Sequence, residues 1–298
     1  MSVIGIFGPT ASGKSAVAAA VAERIPAEVV SADAMQVYEG LPILTNRSPF
    51  PERLVGIWPL SHAASVGEYA PLAHAAIDEI RAAGRTPLVV GGTGLYFRAA
   101  LAELGLPPAP AEGARARWER LYDEAGADAA HARLASIDQE AAARVHANDR
   151  RRVVRALELA EAGGSLAPRE ERLFAGAWRH PTLVVVLDVP KDVLDRRIEE
   201  RARAMFDAGV EEEVERALAA GPISATARKT IGLDAVATLP RDEAIAELTQ
   251  RTRRYAAYQR KWLRRLEDAA IVAGDRPAEE IADEIVALAR ARQRLHRP

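Results

Sequence analysis

Eight residues near the start of the chain have the spacing of a phosphate-binding loop. They fit the pattern G-x-x-x-x-G-K-S and are Gly8, Pro9, Thr10, Ala11, Ser12, Gly13, Lys14 and Ser15. In such a loop the glycines let backbone N–H groups turn inward, the lysine supplies a positive charge, and the serine hydroxyl can ligate Mg²⁺. We therefore expect these residues, apart from Pro9, to contact a di- or polyphosphate, with Ser15 as the metal ligand.

The elements on either side of the loop would hold it in place. The apolar run 3–7 predicts a buried strand, and apolar residues at helical spacing in 16–25 predict a helix. A helix that begins just after the loop directs its positive dipole end toward a bound phosphate. A glycine-rich turn that binds nothing is the alternative, and this strand–loop–helix context disfavours it.

Two more polar side chains follow predicted strands. Residues 28–31 predict a strand that leads to Asp33, and residues 87–90 predict another that leads to Gly91-Gly92-Thr93. Open α/β sheets bind ligands at the carboxyl ends of their strands, so Asp33 and Thr93 are candidate site residues. A carboxylate there could hold a metal or accept a proton. Asp33 could instead cap a turn, and Thr93 could be a helix N-cap.

Composition limits the class of protein. The chain has 298 residues, of which 28% are charged, and a formal net charge of −2, so contacts with nucleic acid would need local basic patches. It contains no cysteine, which excludes disulfides, thiolate metal sites and cysteine nucleophiles. We see no membrane-length apolar run and no signal peptide. A cytoplasmic enzyme is the expectation.

The order of predicted elements indicates an α/β fold: a P-loop-type parallel sheet flanked by helices, with an inserted all-helical subdomain. The proline-rich segment 107–110 marks a boundary, the pattern is helical from 112 to about 164, and strands resume at 182–188. We therefore expect a core domain of residues 1–110 and 180–298 and an inserted subdomain of residues 111–179. Shorter strands are expected at 54–58 and 270–273.

Two basic segments are either solvated helix faces or binding surfaces. Five arginines occur between 144 and 155, a pattern that usually marks a solvated helix face. Residues 251–265 hold seven cations and no acid, interleaved with Tyr255, Tyr258 and Trp262. Cations for phosphates and rings for stacking are typical of a helix that faces nucleic acid. Within that helix, Trp262 and Leu263 are expected to be buried.

Nothing in the middle of the sheet has the form of a Walker-B strand. Residues 184–188 have the four apolar residues and the aspartate, but they follow the insertion and lead directly to Val189-Pro190. This disfavours a motor or switch NTPase. A transferase that holds a phosphate group and acts on an acceptor fits better.

Six segments in order resemble the tRNA dimethylallyltransferases, the isopentenyl-transferase family, over nearly the whole chain. They are GPTASGKS at 8–15, SADAMQVY at 31–38, VGGTGLY at 90–96, RVHANDRRRVVRALE at 144–158, RIEER at 197–201 and RYAAYQRKWLR at 254–264. The resemblance implies transfer of a dimethylallyl group from dimethylallyl diphosphate to N6 of adenosine 37, in tRNAs that read codons beginning with U.

The resemblance also implies roles for single residues. The loop would hold the donor diphosphate with Mg²⁺ at Ser15, Asp33 would be the general base, Thr93 would contact the adenine, and Arg201 would neutralise the departing diphosphate. The implied tRNA contacts are Asp33, Ala34, Met35, Gln36, Thr93, Arg115, Arg151, Arg152 and Arg155. The implied partners are tRNA and the prenyl donor, bound by a monomer without membrane contact.

Two other enzymes remain as alternatives: a P-loop small-molecule kinase, and an adenylate isopentenyltransferase with a free nucleotide as acceptor. The sequence also departs from the family pattern. Residues 41–47 read LPILTNR where the family usually has MDIGTAK, Ala34 replaces serine, and Leu233 replaces tyrosine. None of these departures removes a proposed catalytic residue.

Overall fold

A computed structural model describes residues 2–104, 111, 113–166, 177–263, 266 and 268–295. The strands are β1 (Val3–Phe7), β2 (Ala27–Ser31), β3 (Glu52–Arg53), β4 (Thr86–Gly91), β5 (Thr182–Asp188) and β6 (Ala270–Ala273). The helices are α1 (Lys14–Arg24), α2 (Val66–Ala82), α3 (Gly94–Leu101), α4 (Ala114–Ala125), α5 (Ala127–Ile137), α6 (Gln139–Arg144), α7 (Arg150–Glu161), α8 (Lys191–Asp207), α9 (Val210–Ala219), α10 (Leu233–Thr238), α11 (Arg241–Leu263) and α12 (Ala278–Leu295). Residues Ala227–Lys229 form a 3-10 turn.

The strands form one six-stranded sheet in the order β3-β2-β4-β1-β5-β6, and every neighbouring pair is parallel. The central strand β1 is buried along its whole length, as expected when helices cover both faces of a sheet. Its last residue, Phe7, pairs with Gly91 and Val186. The carboxyl ends of β1, β2 and β4 therefore meet at one edge, and the predicted α/β fold is confirmed.

One hydrophobic core joins the sheet to α1 and α12. Ile4, Ile6, Val17 and Leu88 are buried in it with Ile281, and α1 packs directly against α12. This packing fixes the start of α1, and so it fixes the end of the glycine-rich loop that leads into it.

Two long helices pack together in a second core, near the same edge of the sheet. Leu41, Phe206, Leu233 and Leu248 are buried together, and α8 packs along α11. Leu233, where the family pattern has tyrosine, lies fully inside this core. The buried carboxylate of Glu213 on α9 accepts hydrogen bonds of 2.8 Å from the backbone N–H groups of Ile43 and Leu44.

The chain divides into two compact units, Met1–Ala102 with Trp178–Pro298, and Glu103–Ala177. The described part of the second unit consists of α4, α5, α6 and α7 around a core of its own, with Leu134, Val153 and Leu157 fully buried. The predicted boundary at 107–110 lies outside the described residues. Of the described helices, none combines the length and the hydropathy that a bilayer span requires.

Two expectations about single elements were wrong. The strand expected at 54–58 is instead the two-residue β3, because Leu54 has a left-handed φ of 65° that ends it; Trp58 makes only an isolated bridge with Tyr38. Trp262 and Leu263 are only partly buried. The buried side of α11 near its end carries Ala256 and the polar Gln259 instead.

Candidate active site

A cavity of about 360 Å³ lies at the edge of the sheet where these strands end. The phosphate loop contributes Thr10, Ala11, Gly13, Lys14 and Ser15 to its lining; other segments contribute Asp33, Gln36, Glu52, Arg197, Arg201, Tyr255 and Gln259. The structure thus brings together the predicted diphosphate loop, the predicted base and the predicted arginine, although they come from distant parts of the chain.

The loop has the curled backbone that its glycines predict. Gly13 and Ala11 have φ values of 87° and 64°, and the Gly13 carbonyl accepts from Val17 N–H at 3.0 Å to begin α1. The Ser12 hydroxyl is buried without a hydrogen-bond partner among the described residues. Of the predicted loop residues, Thr10, Ala11, Gly13, Lys14 and Ser15 line the cavity, whereas Gly8 and Ser12 are not among its lining residues.

Lys14 and Arg201 make the cavity electropositive. Burial lowers the pKa of Lys14 to about 8, opposed by the Asp33 carboxylate and assisted by the nearby Arg201 charge. Burial likewise lowers the pKa of Arg201 to about 10. Lys14 Nζ donates to the Pro9 carbonyl at 2.7 Å, and Arg201 Nη2 donates to Thr10 Oγ1 at 2.7 Å. Two cations with one facing carboxylate form a site for a ligand that carries more than one negative charge.

Asp33 serves as a turn residue and also lines the cavity. Its Oδ1 accepts from the backbone N–H of Met35 at 2.8 Å and of Gln36 at 3.4 Å, which is the capping contact considered from the sequence. These bonds engage one carboxylate oxygen. The turn holds the side chain in a fixed orientation, so the capping contact is compatible with a role as base.

Thr93 occupies the N-cap position of α3 but makes no side-chain cap bond. Its Oγ1 instead accepts from Ala34 N–H at 3.4 Å and lies 3.1 Å from the Tyr255 hydroxyl. Thr93, the predicted contact to the adenine, therefore bonds to the residue after Asp33 and to a residue of α11. Thr93 is thus the N-cap residue that the sequence alternative expects, but its hydroxyl is used for these contacts and not for a cap bond.

The glycines around Thr93 allow other elements to come close. A side chain at Gly91 would overlap the Ala32 carbonyl, and one at Gly94 would overlap the Trp262 ring. A side chain at Gly92 would overlap the Gln259 amide. Glycine at these three positions therefore leaves the space that the end of β2 and two side chains of α11 occupy.

Sequence reasoning missed several residues of this cavity, among them Tyr255, Gln259, Glu52 and Arg197. Tyr255 and Gln259 lie within a segment interpreted as an RNA-facing helix, and their spacing of four residues places them on one helix face, which was the available signal. Glu52 had no signal in the sequence. Burial, together with the Asp33 charge, raises its pKa above the ordinary value.

The second unit places the remaining predicted residues on its own surface. Arg155 donates to the buried carboxylate of Glu158 at 2.9 Å, and Arg115 lies 3.9 Å from the same carboxylate. Arg151 and Arg152 are exposed. Two of the four arginines are thus gathered around one acid on α7.

In the core unit, Met35 is partly buried, and its Sδ accepts from the Thr230 hydroxyl at 3.3 Å.

Sheet, loop and paired cations define an α/β protein with a site for a multiply charged phosphate group. A family model described as IPP transferase matches residues 36–266, and one described as isopentenyl transferase matches residues 1–58. The chain belongs to the IPP transferase family.

Similar proteins agree with this membership. Relatives from Streptomyces griseus subsp. griseus and Thermobifida fusca, both named tRNA dimethylallyltransferase, are each 39% identical; the alignments cover 91% and 89% of this chain and 89% and 87% of theirs. The crystal structure of a tRNA isopentenylpyrophosphate transferase from Bacillus halodurans is 31% identical, with a TM-score of 0.68 over 99% of this chain and 98% of that one. A eukaryotic dimethylallyltransferase acting on tRNA, 22% identical, shares the fold with a TM-score of 0.78 over 96% of this chain and 80% of that one.

Proposed function

We propose that this protein is a tRNA dimethylallyltransferase. It transfers the dimethylallyl group of dimethylallyl diphosphate to N6 of adenosine 37 in tRNAs that read codons beginning with U, and it releases diphosphate. The observation that carries the proposal is the arrangement of Lys14 and Arg201 beside the glycine-rich loop, with Asp33 lining the same cavity. The names of relatives about 39% identical over most of the chain support it.

The donor diphosphate binds against the loop. Backbone N–H groups and the α1 N-terminus face its oxygens, Lys14 and Arg201 neutralise its charge, and Thr10 holds the arginine in place. The donor set fits Mg²⁺, because the Ser15 hydroxyl and the Asp33 carboxylate both line this cavity and offer oxygen atoms, the ligands that Mg²⁺ prefers. Mg²⁺ keeps waters and binds phosphates with one or two protein ligands, and it would lower the charge of the leaving diphosphate.

The acceptor adenine reacts across the cavity from the diphosphate. A bond forms between N6 and C1 of the allyl group as the bond from C1 to the diphosphate oxygen breaks. Asp33 accepts the proton that N6 loses, and Thr93 contacts the adenine. Arg201 stabilises the charge that develops on the leaving diphosphate, which is the term expected to contribute most to the rate.

Basic residues bind the RNA backbone. Arg115, Arg151, Arg152 and Arg155 in the second unit are the proposed phosphate contacts, and exposed cations of α11, such as Arg251, Arg254 and Lys261, are further ones. Ala34, Met35 and Gln36 follow Asp33 and would meet the anticodon loop. Taking adenosine 37 out of its stack costs a few kcal/mol, which these contacts offset. The proposed site of action is the cytoplasm, with a monomer as the active form.

The two rival enzymes are less well supported. A kinase would use the loop for ATP, but it would leave the basic helices and the second unit without a role. An adenylate isopentenyltransferase would share the donor site and differ in its acceptor, and the relatives named for tRNA argue against it.

Labelled dimethylallyl diphosphate distinguishes the tRNA enzyme from the nucleotide enzyme, and a parallel assay with ATP tests the kinase. The acceptors are an unmodified anticodon stem-loop with the sequence A36-A37-A38, the same stem-loop with inosine at 37, AMP, and ATP. Label should pass only to the stem-loop with A36-A37-A38. The inosine stem-loop cannot accept it, because inosine lacks the N6 amine. Label on AMP or ATP would favour the nucleotide enzyme. Phosphate transfer from ATP to a small hydroxyl compound, with no prenyl transfer, would favour the kinase.

A further inference from the structure

Helix α11 makes hydrogen bonds both to the diphosphate loop and to Thr93. Arg201 donates to Thr10 Oγ1 at 2.7 Å, and Thr10 N–H donates to Gln259 Oε1 at 2.7 Å. Tyr255 lies four residues before Gln259 on α11, and its hydroxyl is 3.1 Å from Thr93 Oγ1. Through these contacts α11 links the proposed diphosphate-stabilising arginine, by way of Thr10, with the proposed adenine contact.

Gln259 is a buried amide, with 2% of its surface exposed. Buried polar groups are almost always hydrogen-bonded, and leaving one unpaired costs free energy. Its oxygen is the acceptor for a loop N–H group, Thr10, that would otherwise be unpaired. Gly92 leaves the space for its amide nitrogen, since any side chain there would overlap it. The loop conformation therefore depends on a residue 249 positions away in the sequence.

Tyr255 lies one helical turn before Gln259 on α11. Burial raises the pKa of its phenol well above the ordinary value, so the hydroxyl keeps its proton and can donate one bond while it accepts another. Its bond to Thr93 comes from the same helix that carries Gln259. A helix turn has a fixed rise of about 5.4 Å, so the spacing between the two contacts is set by a rigid element and not by a loop.

We propose that Tyr255 and Gln259 are positioning residues that hold the diphosphate loop and Thr93 at a fixed separation, so that C1 of the donor and N6 of the acceptor meet in line. This rests on the proposed function. Gln259 contacts the donor loop, so its loss lowers diphosphate affinity and the rate. Tyr255 contacts Thr93 and not the loop, so its loss lowers the rate and leaves donor affinity unchanged.

Four variants test the assignment: Tyr255→Phe, Gln259→Leu, Thr93→Val, and Gln250→Leu as the matched control, since Gln250 is exposed on the same helix. Steady-state kinetics with the stem-loop give kcat and the donor KM, and calorimetry gives the Kd for inorganic diphosphate. Removing one hydrogen bond predicts a kcat about 10-fold lower for Tyr255→Phe with an unchanged donor KM. Gln259→Leu should raise the donor KM and the diphosphate Kd about 10-fold, and Gln250→Leu should change neither.

A double-mutant cycle separates a specific bond from general loosening. Tyr255→Phe in the Thr93→Val background should cost less than about 2-fold more in kcat, because both changes remove the same contact. Wild-type kcat and donor KM in Tyr255→Phe and Gln259→Leu would overturn the proposal, as would additive effects in the cycle. If Gln259→Leu does not fold, the kcat of Tyr255→Phe and the double-mutant cycle still test the proposal.

Failure of the proposed function would look different. A wild-type protein that transfers no label would reject the prenyl-transfer proposal, and the diphosphate Kd of Gln259→Leu would still test the link between α11 and the loop. An unchanged Kd in that variant would reject the link.

Discussion

Raising the pH from about 7 to about 9 should weaken diphosphate binding roughly tenfold through Lys14 alone. Its pKa of about 8 follows from burial beside Arg201, and the Asp33 charge offsets this only in part. A bound diphosphate adds negative charge beside the ammonium group and raises that pKa again. The ligand therefore binds the protonated lysine preferentially, and its affinity follows the protonated fraction.

The size of the effect follows from the titration curve. With a pKa of about 8, about nine tenths of the lysine carries a proton near pH 7 and about one tenth near pH 9, a ratio of roughly ten. Arg201, with a pKa of about 10, stays mostly charged over this range. Below about pH 7 the Lys14 contribution is constant, so the loss of affinity begins only as the pH passes the pKa of the free lysine.

Calorimetric titration with inorganic diphosphate measures this dependence, and Lys14→Arg is the control. The ligand's own ionisation affects both proteins equally, so the ratio of their Kd values isolates Lys14. In buffers of different ionisation enthalpy near pH 9, the wild type should take up close to one proton more on binding than the arginine variant does. A wild-type to variant Kd ratio that is the same at both pH values would refute the reasoning.

Three further predictions concern other residues. Asp33→Asn should lower kcat about 10²–10⁴-fold while the melting temperature stays near wild type, because the amide oxygen can still accept from Met35 N–H; near-normal turnover would reject Asp33 as the base. Arg151→Ala with Arg152→Ala should reduce the log–log salt dependence of tRNA affinity by roughly one for each RNA phosphate that the variant no longer neutralises, measured by filter binding, and an unchanged slope would return these arginines to a solvated face. Glu52→Gln should raise the melting temperature at neutral pH, by about 2–4 °C for each kcal/mol gained in the free energy of unfolding. The folded-state pKa of Glu52 is raised, so the wild-type protein loses stability as the pH rises through that pKa. The gain should vanish below about pH 4, and a gain at every pH would contradict this cause.

The local parts of the site could be predicted from the sequence. The phosphate loop, Asp33 and Thr93 each follow a buried strand directly, and the ends of parallel strands meet at one edge of a sheet. Their spacing along the chain therefore carried the information about their position in space. The same reasoning gave the α/β fold, because apolar runs alternate with helical segments.

Contacts between distant segments could not be predicted in this way. Gln259 reads as one polar residue in a basic helix, and only the packing of α11 against the end of the sheet brings it to Thr10. Glu158 and Glu213 are buried acids that the sequence presents as ordinary surface charges, since charged residues are rarely buried unless paired. Glu158 pairs with Arg155 on its own helix, but the partners of Glu213 are backbone N–H groups of a distant segment, and no periodic pattern identifies them.

The contacts of Glu213 bear on how freely the segment 41–47 can vary between relatives. The Glu213 carboxylate binds the backbone N–H groups of Ile43 and Leu44, and Gln36 Nε2 donates to the backbone carbonyls of Thr45 and Asn46 at 3.2 and 3.4 Å. These contacts hold main-chain atoms, which every amino acid except proline supplies. The departure of LPILTNR from the family pattern therefore leaves the path of the chain intact. Exchange of side chains here, where they do not enter the core, offers a route to altered RNA preference that leaves the donor site unchanged.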